Sequence, residues 1–178
     1  MKKKIFIGCF LFCLFTAPSF SQLILPIKKI HAYKQATIPG IPQTSFDENG
    51  NKIIASRKPT FNYWIYVEFQ KSEKIEIVDL WISGIRFKAK SETINSLPVK
   101  KIIYTANSGN DTVLLMPPTS QNVLLTYPID LLNKNSNSST YLNKLIKQSE
   151  LVIGFYWNGK KYFASTKQIK LLEPDAHL

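Results

Sequence analysis

Hydrophobic and polar side chains alternate most cleanly over residues 61–70. Phe61, Tyr63, Ile65, Val67 and Phe69 fall on one side of the chain, and Asn62, Trp64, Tyr66, Glu68 and Gln70 on the other. Period-two alternation among aromatic and β-branched residues predicts a β-strand with one fully apolar face. The second face carries two aromatics, Trp64 and Tyr66, between polar residues. Residues 74–83 predict another strand, but the phase slips. Ile75 and Ile77 share one face, whereas Val78, Leu80 and Ile82 occupy the other. Either both faces are covered or a bulge near Val78-Asp79 re-aims the strand. Beyond Gly84, Ile85, Phe87 and Ala89 alternate with Arg86, Lys88 and Lys90, which predicts a half-buried strand with a basic outer face.

The same reasoning places strands at Ile27–Thr37, Val99–Thr105, 112–116 and 121–127, separated by Asn107-Ser108-Gly109 and Pro117-Pro118. The first, bounded by prolines, is expected at a sheet edge. Asn49-Gly50 marks a turn between two short extended pieces. Residues 150–157 and 160–169 flank Asn158-Gly159, a pair that favours the type I′ turn of a tight hairpin. Residues 128–140 read as a polar passage. One helix is predicted over 140–149, with Thr140 as its cap and Leu142, Leu145 and Ile146 at helical spacing. No repeat or linker divides the chain. The pattern predicts a single mainly β domain over 22–178, an immunoglobulin-like antiparallel β-sandwich of about seven to nine strands with one short helix. The likeness is architectural, because the cysteine pair of antibody domains is missing.

The first 21 residues carry a different signal. Lys2, Lys3 and Lys4 precede an apolar run over 5–15, followed by a proline-containing exit rich in small residues. This is the order of a secretory signal peptide, with Ser19 and Ser21 as its small residues and cleavage expected between Ser21 and Gln22. The apolar run falls short of the about 20 residues that a membrane span requires. The expectation is export to the periplasm or the medium, with no membrane span after cleavage. Neither Cys9 nor Cys13 sits where a lipid-modified cysteine would. Gln22 directly behind Ser21, with the lysine- and asparagine-rich composition, resembles small exported β-rich proteins of the Bacteroidetes bacteria. Asp111-Thr112-Val113 is similar to the Asp-Ser/Thr-apolar pattern at which such bacteria attach O-glycans. That resemblance implies Thr112 as an attachment point; an ordinary turn into a strand is the alternative.

Composition then narrows the chemistry. The 178 residues hold 23 Lys+Arg against 12 Asp+Glu, a formal charge of +11. Three of the lysines and both cysteines lie in the leader, so the remaining 157 residues carry +8 and no thiol. Disulfide scaffolds, thiolate zinc sites and cysteine nucleophiles are thereby excluded for the processed chain. Its histidines are His31 and His177, and no serine elbow, phosphate loop or His-Glu-x-x-His motif accompanies them. No catalytic set, metal site or cofactor is expected. Residues 47–51 superficially resemble part of a calcium loop but lack the further spaced carboxylates and the closing glutamate.

Aromatic residues are the more suggestive feature. The Trp64/Tyr66 face and the Tyr156/Trp157 pair at the hairpin tip are candidates for stacking on sugar rings or for anchoring a protein partner. Burial in the core is the alternative for Trp64 and Trp81, and Trp157 is the tryptophan expected at the surface. The Arg86/Lys88/Lys90 stripe fits an anionic surface or the protection of an edge strand. Nucleic acid is not expected as a partner. The leading expectation is a non-enzymatic interaction or accessory module of the cell envelope, with an envelope protein or glycan as partner. The alternative is a carbohydrate- or glycolipid-binding module using the exposed aromatics and the basic face. A small hydrolase using the strand carboxylates Glu68, Glu76 and Asp79 comes third.

Overall fold

The alternating segment forms a strand, Thr60–Phe69, and its two faces organise the rest of the molecule. The computed structural model describes residues 25–37, 44–46, 49, 52–54, 60–105, 109–133 and 139–174. In chain order the strands are β1 (Ile27–Thr37), β2 (Thr44–Phe46), β3 (Lys52–Ile54), β4 (Thr60–Phe69), β5 (Glu76–Ile82) and β6 (Ile85–Thr93). They continue with β7 (Val99–Thr105), β8 (Gly109–Met116), β9 (Asn122–Leu131), β10 (Leu151–Trp157), β11 (Lys160–Thr166) and β12 (Lys170–Leu172). The helix α1 (Thr140–Gln148) precedes β10. Eight strands form one sheet in the order β11-β10-β5-β6-β9-β4-β1-β12, while β2-β3 and β7-β8 are separate hairpins. All pairings are antiparallel except β1 with β12.

Tyr63, Ile65 and Val67 of β4 pack in one cluster with Ala32 of β1, Ile77, Leu80 and Ile82 of β5, and Leu151, Ile153 and Phe155 of β10. β1 and β10 lie near opposite edges of the sheet, so their side chains meet only because the sheet curls and closes over its concave face. An ion pair from Lys34 of β1 to Glu150, just before β10, ties the two sides together. The convex face has two covers. The β7-β8 hairpin lays Ile103, Leu115 and Met116 over Tyr33, Tyr66, Val123 and Leu172. Helix α1 sets Leu142 against Trp81 and Val152. The result is the expected mainly β fold with one short helix and apolar layers on both sides of the sheet, consistent with a β-sandwich.

Local signals hold well. Ile77 pairs with Phe155 and Asp79 with Gly154, so Val78 is the extra residue of a bulge, and Ile77 and Leu80 both reach the core. Asn158 and Gly159 have φ of 49° and 74°, the two positive angles a type I′ turn demands. The described residues form twelve strands rather than about seven to nine, and further details differ from expectation. β1 is not an edge strand, because β12 adds to its far side. Residues 128–131 belong to β9 rather than to a polar passage, since Phe87 of β6 pairs with Leu131. Residues 170–172 form a strand of their own beyond the hairpin. The helix is capped by Ser139, whose hydroxyl accepts from the Leu142 N–H at 3.2 Å, so Thr140 is its first residue.

Candidate functional site

β4 and β9 pair from Phe69 with Asn122 up to Ile65 with Thr126, and there the ladder stops. β4 continues to Thr60 against β1, and β9 continues to Leu131 against β6. The sheet therefore splits at Trp64 and Tyr127. Pro128 accounts for the split: the next pair but one would set it opposite Tyr63, and proline has no N–H to give a ladder. The β6–β9 register also shifts between Phe87 and Ala89, and Ala89 is the partner of Pro128. A bulge there bends β9 away from β4.

The split leaves a cleft of about 390 Å³ lined by Phe61, Asn62, Tyr63, Trp64, Leu125, Tyr127 and Pro128. Four of these seven are aromatic. Phe61 is 40% exposed, whereas Tyr63, Trp64 and Tyr127 are half-buried. The Phe61 and Tyr63 rings are tilted at 45° with centroids 6.4 Å apart. Lysine ammonium groups stand against three of the rings: Lys34 Nζ is 5.9 Å from the Phe61 centroid, Lys101 Nζ 4.8 Å from Trp64, and Lys90 Nζ 5.6 Å from Tyr127. The Tyr127 hydroxyl donates to Glu92, which also pairs with Lys90 at 3.5 Å. Burial pushes the Tyr63 phenol above its ordinary pKa; nearby Lys34 opposes the shift and Glu150 adds to it. Tyr63 is therefore a neutral hydroxyl at neutral pH.

The cleft uses only part of the expected site. Trp64 lines it, and Lys90 borders it through Tyr127. Tyr66 does not: it is 2% exposed beneath the β7-β8 hairpin, so its ring offers no stacking face. Arg86 is turned from the surface to Asp79, which accepts its Nε–H at 3.1 Å and its Nη2–H at 2.8 Å. The same contact sets the guanidinium 5.6 Å from the Trp81 ring, and Trp81 is core. Lys88 is exposed and stands opposite Asp79 in the ladder. Trp157, expected at the surface, is half-buried: its indole N–H donates to Glu73 at 2.7 Å and its ring packs 5.5 Å from Tyr162. Tyr156 is 41% exposed in a shallow depression with Lys74, Ile75, Glu76, Asn158 and Gly159, some distance in chain and sheet from the cleft. Thr112 is exposed on β8, with its N–H held by the Asp111 carboxylate at 2.7 Å. Ser21, Gln22, the calcium-like turn residues 47, 48, 50 and 51, and His177 lie outside the described residues.

The strand carboxylates are dispersed. Asp79 is buried between Arg86 and Lys161, and Glu76 is exposed beside Tyr156. Glu68 accepts from the Thr119 hydroxyl at 2.7 Å and faces His31, whose Nε2 is 3.9 Å from its second oxygen. That His31 Nε2 is buried without a hydrogen-bond partner. Among the described residues, no three His, Cys, Asp or Glu side chains gather as metal ligands.

His31 makes the fold sensitive to acid. Burial lowers its pKa from 6.5, Lys29 and Lys170 lower it further, and Glu68 opposes them. The unfolded chain therefore binds the proton more readily than the folded one, and stability falls as pH drops below 6.5 towards the folded value. Glu150 extends the loss. Burial alone would raise its pKa, but the Ile169 N–H and Lys34 bring it below 4.5, so its contribution disappears only at lower pH. The urea midpoint of the protein should decline in these two stages. His31→Leu should flatten the upper stage and leave the lower one.

No family model, no curated protein and no solved structure matches this chain.

Proposed function

We propose that the protein is an exported, non-enzymatic binding module of the cell envelope, and that the cleft between β4 and β9 is its ligand site, taking a sugar chain. The observation that carries this reading is the clustering of Phe61, Tyr63, Trp64 and Tyr127 around one open cleft. Solvent-facing aromatic rings on a rigid sheet recognise the apolar C–H face of a sugar, while a neutral phenol, an amide and lysines meet its hydroxyls. Asn62 supplies the amide. At about 390 Å³ the cleft lies at the lower end of the roughly 300–1,000 Å³ range of ligand sites. That size suits a short stretch of a sugar chain, entering where β4 and β9 diverge beyond the Ile65–Thr126 pair. The leader signal at residues 1–21 supports a place outside the cytoplasm, where such chains are found.

Titration of the purified protein with a panel of envelope and plant glycans, read by calorimetry, tests this. At least one glycan should bind, and Trp64→Ala should weaken it by about tenfold, the scale of a central aromatic contact. Trp157→Phe, away from the cleft, should leave binding unchanged. A panel without a binder, or a binder indifferent to Trp64→Ala, would refute the cleft as the site.

A further inference from the structure

We infer that the sugar selected by the cleft is anionic, with a carboxylate or a phosphate on the ring. This rests on the reading of the cleft as a sugar site and narrows it to one chemical class. Each of Phe61, Trp64 and Tyr127 has a lysine ammonium within 6.0 Å of its ring, while none of the described residues that line the cleft is acidic and Glu92 reaches it only through the Tyr127 hydroxyl. A pyranose stacked on an aromatic face directs its equatorial substituents outward past the ring edge. The lysine over each ring has a flexible stem that lets its ammonium swing off the face to a negative substituent of a sugar stacked there, so the stacking contact and the charge contact select one ligand together.

The lysines differ in how far they are committed. Lys34 is bound to Glu150 across the curled sheet and serves the fold. Lys90 shares Glu92, but both side chains are more than half exposed, at 58% and 53%. An exposed, solvent-screened pair of this kind is held only weakly, so an incoming anion can share or replace Glu92. Lys101, half-buried on β7, lies closest to its ring and comes from the hairpin that covers the convex face. The cleft is thus bordered from two sides by cations on different elements, Lys90 on β6 and Lys101 on β7.

Calorimetric titration of the whole protein should compare oligogalacturonate with a neutral maltooligosaccharide of equal length. Phosphatidylcholine vesicles with and without lipid A then separate a carboxylated chain from a phosphorylated, lipid-borne sugar. One of the two anionic probes should bind more tightly than its neutral counterpart, and added salt should weaken it. Lys90→Gln and Lys101→Gln should each reduce that affinity about two- to fivefold. Lys90→Arg should retain it, and Lys144→Gln on the exposed face of α1 should have no effect. Equal binding of the neutral probe, with both glutamine variants unaffected, would overturn the charge selection while leaving the cleft a sugar site. A loss in Lys144→Gln as large as in Lys90→Gln would also overturn it, by tracing the effect to overall charge. Failure of every probe to bind would remove the sugar reading itself.

Discussion

Phe155→Ala should lower the unfolding free energy by about 3–5 kcal/mol, the range for deleting a large buried aromatic side chain. Phe155 is fully buried on β10, at the point where the curled sheet brings β1, β4, β5 and β10 together. Two things make collapse around the lost ring difficult. The surrounding Ile65, Val67, Leu80 and Ile153 are held by ladders on both sides of their strands. Tyr162, whose ring is 6.1 Å away, belongs to the neighbouring strand and is fixed by the tight Asn158-Gly159 turn. For a domain of this size the melting temperature should fall by roughly 10 °C. Phe163→Ala is a useful comparison: it sits in the smaller cluster under α1 and is half-buried, so it should cost clearly less. Chemical denaturation of both variants checks the ranking, and equal losses would mean that the concave cluster is not the dominant core.

That concave cluster was only partly legible in the sequence. The alternation of residues 61–70, the phase slip at Val78 and the Asn158-Gly159 turn are local facts, and each produced the element it implied. Curling of the sheet is not local. It depends on β1 and β10 facing one another and on β12, a three-residue strand, pairing in parallel with β1 after more than 130 intervening residues. A strand that short carries no period to read. The continuation of β9 was hidden for another reason: Pro128 and Asp130 interrupt the apolar pattern, and pairing to β6 overrides them.

The candidate site shows the same division. Trp64 and Lys90 were legible as an outward aromatic and an outward cation. Phe61 and Tyr63 were assigned to the apolar face, which they share with Ile65 until the sheet splits and exposes them at its margin. Tyr127 and Leu125 gave no signal, because their importance comes from what Pro128 does to the neighbouring ladder. A proline inside a β run is the signal that could have marked the cleft, and it reads correctly only once the strand on each side is known. Trp157 fails in the opposite direction. Its place beside a tight turn implied exposure, but Glu73, 84 residues away, holds its indole N–H.

Asp79→Asn is the second large effect expected, a loss of about 2–4 kcal/mol. Asp79 is 3% exposed, and its two oxygens divide between two cations, Oδ1 to Arg86 and Oδ2 to Lys161. Removing one member of such a cluster leaves the others without compensation, at a cost of about 3–5 kcal/mol when all are buried. Here the loss is somewhat smaller, because the Arg86 and Lys161 side chains are 18% and 31% exposed and can turn partly to water. Asn keeps the shape and one acceptor oxygen, so the loss reports charge rather than packing. Packing is nonetheless tight: a Cβ at Gly154, the ladder partner of Asp79, would lie 3.1 Å from the Trp81 ring and 3.3 Å from the Asp79 Cβ. Replacing all three charged residues together, with Asp79→Leu, Arg86→Met and Lys161→Met, should cost less than Asp79→Asn alone, since no cation is then left unpaired. Urea denaturation of the two proteins decides the matter, and a single variant as stable as the parent would show the cluster to be solvated. The same comparison bears on the basic stripe of β6. If Asp79 holds Arg86 as the geometry indicates, Arg86→Ala should change the proposed glycan binding only by loosening the fold, whereas Lys90→Gln should change it at unchanged stability. Measuring melting temperature and affinity for both variants separates the two lysine-and-arginine roles that the alternation of residues 85–90 presents as one.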